Sequence, residues 1–154
     1  MGIESFLVST TVNMILAQRL VRKICKHCIT SYTLKDKEIK LLEQAHDISF
    51  ETITKMIAKT ENASKKENDP KGMLFFKGKG CNKCNNTGYK GRIGIYEVLE
   101  NSEKISELIL ERAGAEKIKN QAISDGMLTI MEDGFIKAKS GITTIEEVLR
   151  VTKE

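Results

Sequence analysis

The apolar positions change period along the chain, and each change predicts a new element. Phe6, Leu7 and Val8 form a short apolar run, followed by Ser9, Thr10 and Thr11, residues suited to capping a helix N-terminus. Val12, Ile15, Leu16 and Arg19 then recur at helical spacing, so a helix is expected there. Leu20 to Cys25 reads as a strand. Leu34–Ala45 predicts a helix with Ile39, Leu42 and Ala45 on one face, and Phe50–Thr60 a second with Ile53, Met56 and Ile57 together. Glu61–Gly72 is polar, contains the only proline and is expected to be a mobile loop. Met73–Phe76 predicts a strand, after which Gly78 and Gly80 bend the chain. Asn85–Arg92 is turn-rich, and Ile93–Leu99 has the β-branched and aromatic character of a strand.

Beyond residue 100 the helical period dominates. Ser102–Arg112 places Ile105, Leu108 and Ile109 on one face and ends at Gly114. Ala115–Asp125 follows, with Ile118 and Ala122, and ends at Gly126. Thr129-x-x-Glu132 and Thr143-x-x-Glu146 are capping-box patterns. The first opens a helix with Met131, Phe135 and Ala138 inward, and the second a helix with Ile145, Val148 and Leu149 inward. The acidic residues of this region lie mostly off the apolar faces and are expected to be solvated. The class is therefore α+β: a tetracysteine module, an inserted and mainly helical segment, and a C-terminal bundle of short helices.

Charge refines this picture. Residues 1–92 hold 17 Lys/Arg against 9 Asp/Glu, whereas residues 93–154 hold 8 against 12, giving +8 and −4. A basic and an acidic half suggest a partner-binding or self-associating surface, although Lys-rich solvated loops would give the same numbers. The start of the chain is polar at once, and no run of 18 apolar residues occurs, so a soluble, intracellular protein is expected.

The chemistry lies in the cysteines. Cys25-Lys-His-Cys28 and Cys81-Asn-Lys-Cys84 account for all four thiols, separated by the 52 residues 29–80. Two such pairs supply the shell of a tetrahedral structural zinc site. Single iron and iron–sulfur centres use the same thiolates, and paired disulfides are the remaining alternative. His27 is read as a bystander within the first knuckle. With every thiol engaged, a zinc ion would be closed and non-catalytic. No Gly-x-x-x-x-Gly-Lys-Ser/Thr loop and no His-Glu-x-x-His is present, so the chain offers no active site of its own.

Certain segments together resemble a known family. Phe6-Leu7-Val8-Ser9 is followed by Ala17-Gln18-Arg19-Leu20-Val21-Arg22-Lys23-Ile24-Cys25-x-x-Cys28. The second knuckle continues as Cys81-x-x-Cys84-x-x-Thr87-Gly88-Tyr89-x-Gly91-Arg92-x-Gly94-Ile95-x-Glu97-Val98-Leu99. Gly126-Met127, Asp133-Gly134, Lys137, Gly141, Thr143-Thr144 and Glu146-Glu147-Val148 complete the pattern. These resemble the C-terminal part of the type II secretion and type IV pilus assembly ATPases, over nearly the whole chain except residues 31–76. The resemblance implies a fragment of a hexameric, RecA-like motor at the inner face of the cytoplasmic membrane, with the Walker motifs and ATP/Mg2+ supplied upstream. It implies a structural zinc ion on Cys25, Cys28, Cys81 and Cys84. It also implies that Arg92, and more weakly Arg19, approach nucleotide phosphates in the full motor. Residues 1–30 would be the edge of the ATPase domain leading into the first knuckle. Residues 31–80 would be the insert and loop, 81–100 the second knuckle and strand, and 101–154 the helical bundle. Neighbouring subunits and the cytoplasmic domains of the membrane platform are the implied partners.

A zinc-knuckle nucleic-acid module is the alternative from a different class. The absence of Trp and the acidic C-terminal half count against it. A co-chaperone zinc domain would need four Cys-x-x-Cys-x-Gly-x-Gly repeats, and Asn86 occupies the first glycine position.

Overall fold

The computed structural model describes residues 3–33, 39–40, 43–44, 51, 55 and 74–152. In chain order these form α1 (Ser5–Thr11), β1 (Met14–Ile24), β2 (Ile29–Thr33), β3 (Leu74–Gly78), a 3-10 turn (Asn82–Cys84) and β4 (Tyr89–Glu100). Four helices follow, α2 (Glu103–Leu110), α3 (Ala115–Ser124), α4 (Ile130–Lys139) and α5 (Ile145–Thr152). β1 pairs with β4, and β2 with β3. The mixture of helices with small sheets is α+β, as the hydrophobic pattern indicates.

The N-terminal pattern needs correction. The predicted helix from Val12 to Arg19 is instead most of strand β1. Ser9, Thr10 and Thr11 end the short helix α1 rather than opening a new one. Their hydroxyls donate back to the Phe6 and Leu7 carbonyls within that helix. Residues spaced by three and four also occur in a strand when both its faces carry apolar side chains. Met14, Ile15, Leu16 and Leu20 are all exposed, so β1 shows no alternation that would have marked it as extended.

The predicted strand at Met73–Phe76 is β3, which pairs antiparallel with β2 so that Thr33 faces Leu74 and Ile29 faces Gly78. Of the two helices predicted between them, Ile39, Lys40, Glu43, Gln44, Glu51 and Lys55 are helical. The rest of those helices, and the Glu61–Gly72 loop, lie outside the described residues.

Contacts divide the chain into two compact units, and the four C-terminal helices are shared between them. One unit holds residues 1–18 and 96–129. Its core is Ile105, Ala122 and Met127, with Leu99, Ile109, Ile118 and Ile123 against them. Ser102 caps α2, its hydroxyl accepting the Ile105 N–H at 3.4 Å and donating to Asp125 at 3.0 Å. Asn101 donates its amide to the Ser9 and Val12 carbonyls at 2.9 and 2.7 Å and so fastens the end of α1.

The other unit holds residues 19–95 and 130–154. Phe75 of β3 packs with Phe135 and Ala138 of α4 and with Ile145, Val148 and Leu149 of α5. The inward faces predicted for α4 and α5 are therefore the observed ones. α4 and α5 approach so closely at Gly134 that a Cβ there would stand 2.5 Å from a Val148 methyl. The Ile24 N–H donates to Ile142 O at 2.9 Å, and the Thr143 hydroxyl donates to Arg22 O at 2.8 Å. These bonds fasten the end of β1 to the turn before α5.

The cap of α5 sits one residue later than predicted. Thr144, not Thr143, accepts the N–H three residues on, from Glu147 at 3.3 Å. Thr143 is occupied with Arg22. This shift turns Glu147 inward, where its side chain is 2% exposed, against the expectation of a solvated acidic surface.

Candidate metal centre

The two Cys-x-x-Cys segments are turns, and the backbone holds them face to face. In the first, the Cys28 N–H donates to Cys25 O at 3.1 Å. In the second, the N–H groups of Cys84 and Asn86 both donate to Cys81 O, at 3.1 and 3.0 Å. Asn85 and Asn86 adopt left-handed conformations, which Asn tolerates better than most residues. The Thr87 hydroxyl then closes the turn on Cys84 O at 2.6 Å. Lys79 N–H donates to Cys28 O, and Cys25 N–H to Gly88 O, both at 2.9 Å. Gly78 and Gly88 lie backbone against backbone: a Cβ on Gly88 would stand 2.6 Å from Gly78 O. Side chains at these two positions would drive the knuckles apart.

The result is a cage of four sulfurs, all within 4.8 Å of one another. Sγ–Sγ distances are 3.9 Å for Cys25–Cys81, 3.8 Å for Cys28–Cys84 and 3.7 Å for Cys81–Cys84. Zn–S bonds of ~2.3 Å in tetrahedral array place sulfurs about 3.8 Å apart, so the cage fits one such ion. The thiols are free, and their separations are far beyond a disulfide bond. A multi-iron cluster spreads its four thiolates over two or more irons and would need a wider cage. His27 is exposed and is not among the clustered ligand atoms.

The thiols compete for protons. Burial pushes the Cys84 thiol up, but N–H groups of Cys81 and Gly88 outweigh it and bring it down to about 6. The Cys81 N–H reaches Cys84 Sγ at 3.2 Å. Burial and the neighbouring sulfurs push Cys28 up to about 12. A divalent ion at the centre would favour the thiolate at all four positions.

In the same unit a groove of 590 Å³ is lined by Leu20, Arg22, Tyr89, Lys90, Arg92 and Arg150, among others. Four of these are cations. Glu147 partly neutralises two: it accepts the Arg22 N–H at 3.0 Å, the Arg22 guanidinium at 2.6 Å, and two Arg150 bonds at 2.9 and 3.0 Å. Burial alone would raise the Glu147 carboxyl, but both guanidinium groups outweigh it and hold it down at about 2. Arg22 also stacks over the Tyr89 ring at 4.3 Å, and the Tyr89 hydroxyl hydrogen-bonds Thr144 at 3.0 Å. Lys90 and Arg92 have no ion-pair partner among the described residues.

Arg92 thus reaches the groove in the company of three other cations, whereas Arg19 lies exposed on β1 and does not line it. The Arg22–Glu147–Arg150 clamp was not foreseen. Its signal was Thr144-x-x-Glu147, a capping spacing that overlaps the Thr143-x-x-Glu146 pattern.

Among the described residues no helix is long and apolar enough to cross a membrane. Residues 1–150 match the model of the type II/IV secretion system protein family. The chain is 35% identical to the type IV pilus assembly ATPase PilB of Pseudomonas aeruginosa, over all of this chain and 23% of that protein. It is 36% identical to the type II secretion system ATPase E of Vibrio cholerae, over all of this chain and 26% of that protein. It is 38% identical to PilB of Thermus thermophilus, over all of this chain and 15% of that protein. The chain therefore spans about a quarter or less of these curated relatives, and the matched stretch includes residues 31–76. The match favours the secretion and pilus assembly family over a nucleic-acid module. Matched over residues 1–150, a stretch that contains both knuckles and Arg92, this chain belongs to the type II/IV secretion system protein family.

Proposed function

We propose that this chain is the C-terminal, zinc-binding portion of a hexameric motor ATPase that powers type II secretion or type IV pilus assembly. Its part is structural and at the subunit interface, and it does not hydrolyse ATP by itself. The family match over residues 1–150 carries this reading, and the relatives' names supply the activity. In the full motor the partners are neighbouring subunits and cytoplasmic domains of the inner-membrane platform, at the inner face of the cytoplasmic membrane.

Cys25, Cys28, Cys81 and Cys84 would hold Zn2+, which supplies folding energy and no reaction step. The cage joins the end of β1 to the turn that starts β4, and so fixes where Arg92 stands. A guanidinium stays charged at any working pH and suits charge developing on a phosphoryl group. Arg92 is therefore the residue assigned to approach nucleotide phosphates, with Arg19 the weaker candidate because it stands outside the groove. ATP and Mg2+ would be held by the motor core.

The test is a chimera in which this chain replaces the matched part of the Vibrio cholerae ATPase. The chimera should hydrolyse ATP, and Arg92→Ala should lower turnover at least about tenfold with zinc content unchanged. Full turnover in the Arg92→Ala chimera, or hydrolysis by the isolated 154-residue chain, would contradict the reading.

A further inference from the structure

Glu147 is an unusual counter-ion for the groove that holds Arg92. Its side chain is 2% exposed and does not line the groove, yet it fixes two of the four cations that do. Arg22 gives it one terminal nitrogen, Nη2, at 2.6 Å, and Arg150 gives it Nε and Nη2 at 2.9 and 3.0 Å. The other terminal nitrogen of each guanidinium, Nη1, makes no hydrogen bond among the described residues. Both arginine side chains are half-exposed, so these nitrogens are open to a ligand. Arg22 is held a second time, over the Tyr89 ring at 4.3 Å. An arginine that grips a ligand normally loses rotamer freedom on doing so, and here the buried carboxylate has already removed it. Four cations against one carboxylate leave a net charge of +3 in a groove of 590 Å³. A single phosphate, at about −1.5 to −2, would leave part of that unmatched, whereas a chain of two or three phosphoryl groups balances it.

On the reading that this groove receives nucleotide phosphates, we propose that Arg22 and Arg150 bind the same phosphate chain as Arg92, and that Glu147 is the residue that positions them. The roles divide by charge. Arg22 and Arg150 share one carboxylate and hold the chain alike in the ground and transition states. Arg92 has no counter-ion among the described residues and is left for the charge that develops during transfer.

Titration calorimetry of the 154-residue chain with inorganic tripolyphosphate at ~50 mM salt tests the binding. Arg150→Ala should weaken it at least about tenfold. Lys104→Ala, the same loss of charge in the other unit, should leave it unchanged. Glu147→Gln is the sharper variant, because it adds one positive charge to the groove. A carboxylate that is only a counter-charge predicts tighter binding, whereas a positioning carboxylate predicts binding at least about fivefold weaker. Parental metal content and amide protection of α5 show that this variant is folded. Should it not fold, Arg150→Ala, at a half-exposed side chain, decides. In the Vibrio cholerae chimera, Arg150→Ala should raise KM for ATP about tenfold and keep saturated turnover within about twofold, the reverse of Arg92→Ala. An unchanged KM in Arg150→Ala, with turnover still lowered by Arg92→Ala, overturns the assignment and leaves the motor reading standing. Full turnover in Arg92→Ala removes the motor reading itself. No tripolyphosphate binding by the wild-type chain, binding indifferent to Arg150→Ala, or binding tightened by Glu147→Gln also overturns the assignment.

Discussion

The sulfur cage and the α4–α5 core belong to one unit, yet they are held together by different forces. Phe75, Phe135, Ile145, Val148 and Leu149 are removed from water almost completely, and burial of that kind stabilises without any ligand. The second knuckle, from Cys81 to Tyr89, buries only Cys84 and Gly88. Its order rests on short backbone bonds, two left-handed asparagines and glycine contacts, which do not offset the entropy of fixing so many residues. One region should therefore be independent of metal and the other governed by it.

Removing a sulfur should separate the two regions most sharply. In Cys84→Ala a tetrahedral site loses one of four ligands, and much of the ~10–16 kcal/mol of apparent binding energy typical of such sites is lost. Amide exchange from Cys81 to Tyr89 should become fast while α5 stays protected. Equal loss of protection in both would mean that the core also depends on the metal. The converse variant is Phe135→Ala, which empties the centre of the core and should cost ~3–5 kcal/mol in denaturant unfolding. The knuckles should still bind metal below the new midpoint.

Glu147 stands between these extremes, a charge held by two arginines against the edge of the core. Its folded carboxyl titrates at about 2, below the ordinary glutamate value. Its contribution is thus fully present above about pH 4.5 and is lost as pH falls toward 2. Glu147→Gln should lower stability by ~2–3 kcal/mol at pH 7 and flatten the acid limb of the stability profile. An unchanged acid limb would remove the clamp from the account. The smallest effect belongs to the other unit: Ser102→Ala deletes the α2 cap and should cost ~1 kcal/mol with no change in metal content.

The two regions also differ in how far the sequence reveals them. Cys25, Cys28, Cys81 and Cys84 were legible as one set because the spacing itself encodes the tight turns that bring sulfurs together. The inward faces of α4 and α5 were legible because a helix packed on one side keeps a strict period. β1 was not, since apolar residues on both faces of an exposed strand mimic the spacing of a helix turn. The clamp was hidden by a single residue of register: two threonines and two glutamates in succession allow two caps, and only the packing of Thr143 against Arg22 O selects between them. Arg92 was singled out by resemblance, and only the fold places Arg22, Lys90 and Arg150 around the same groove. Sequence spacing does not report which cations converge from β1, β4 and α5.

The most direct test is the metal content of the purified chain by elemental mass spectrometry, with thiols titrated before and after a chelator. The account expects about one zinc per chain, with all four thiols masked until the metal is stripped. A folded chain with no metal and four reactive thiols would contradict it, and iron in place of zinc would overturn the assignment of the ion.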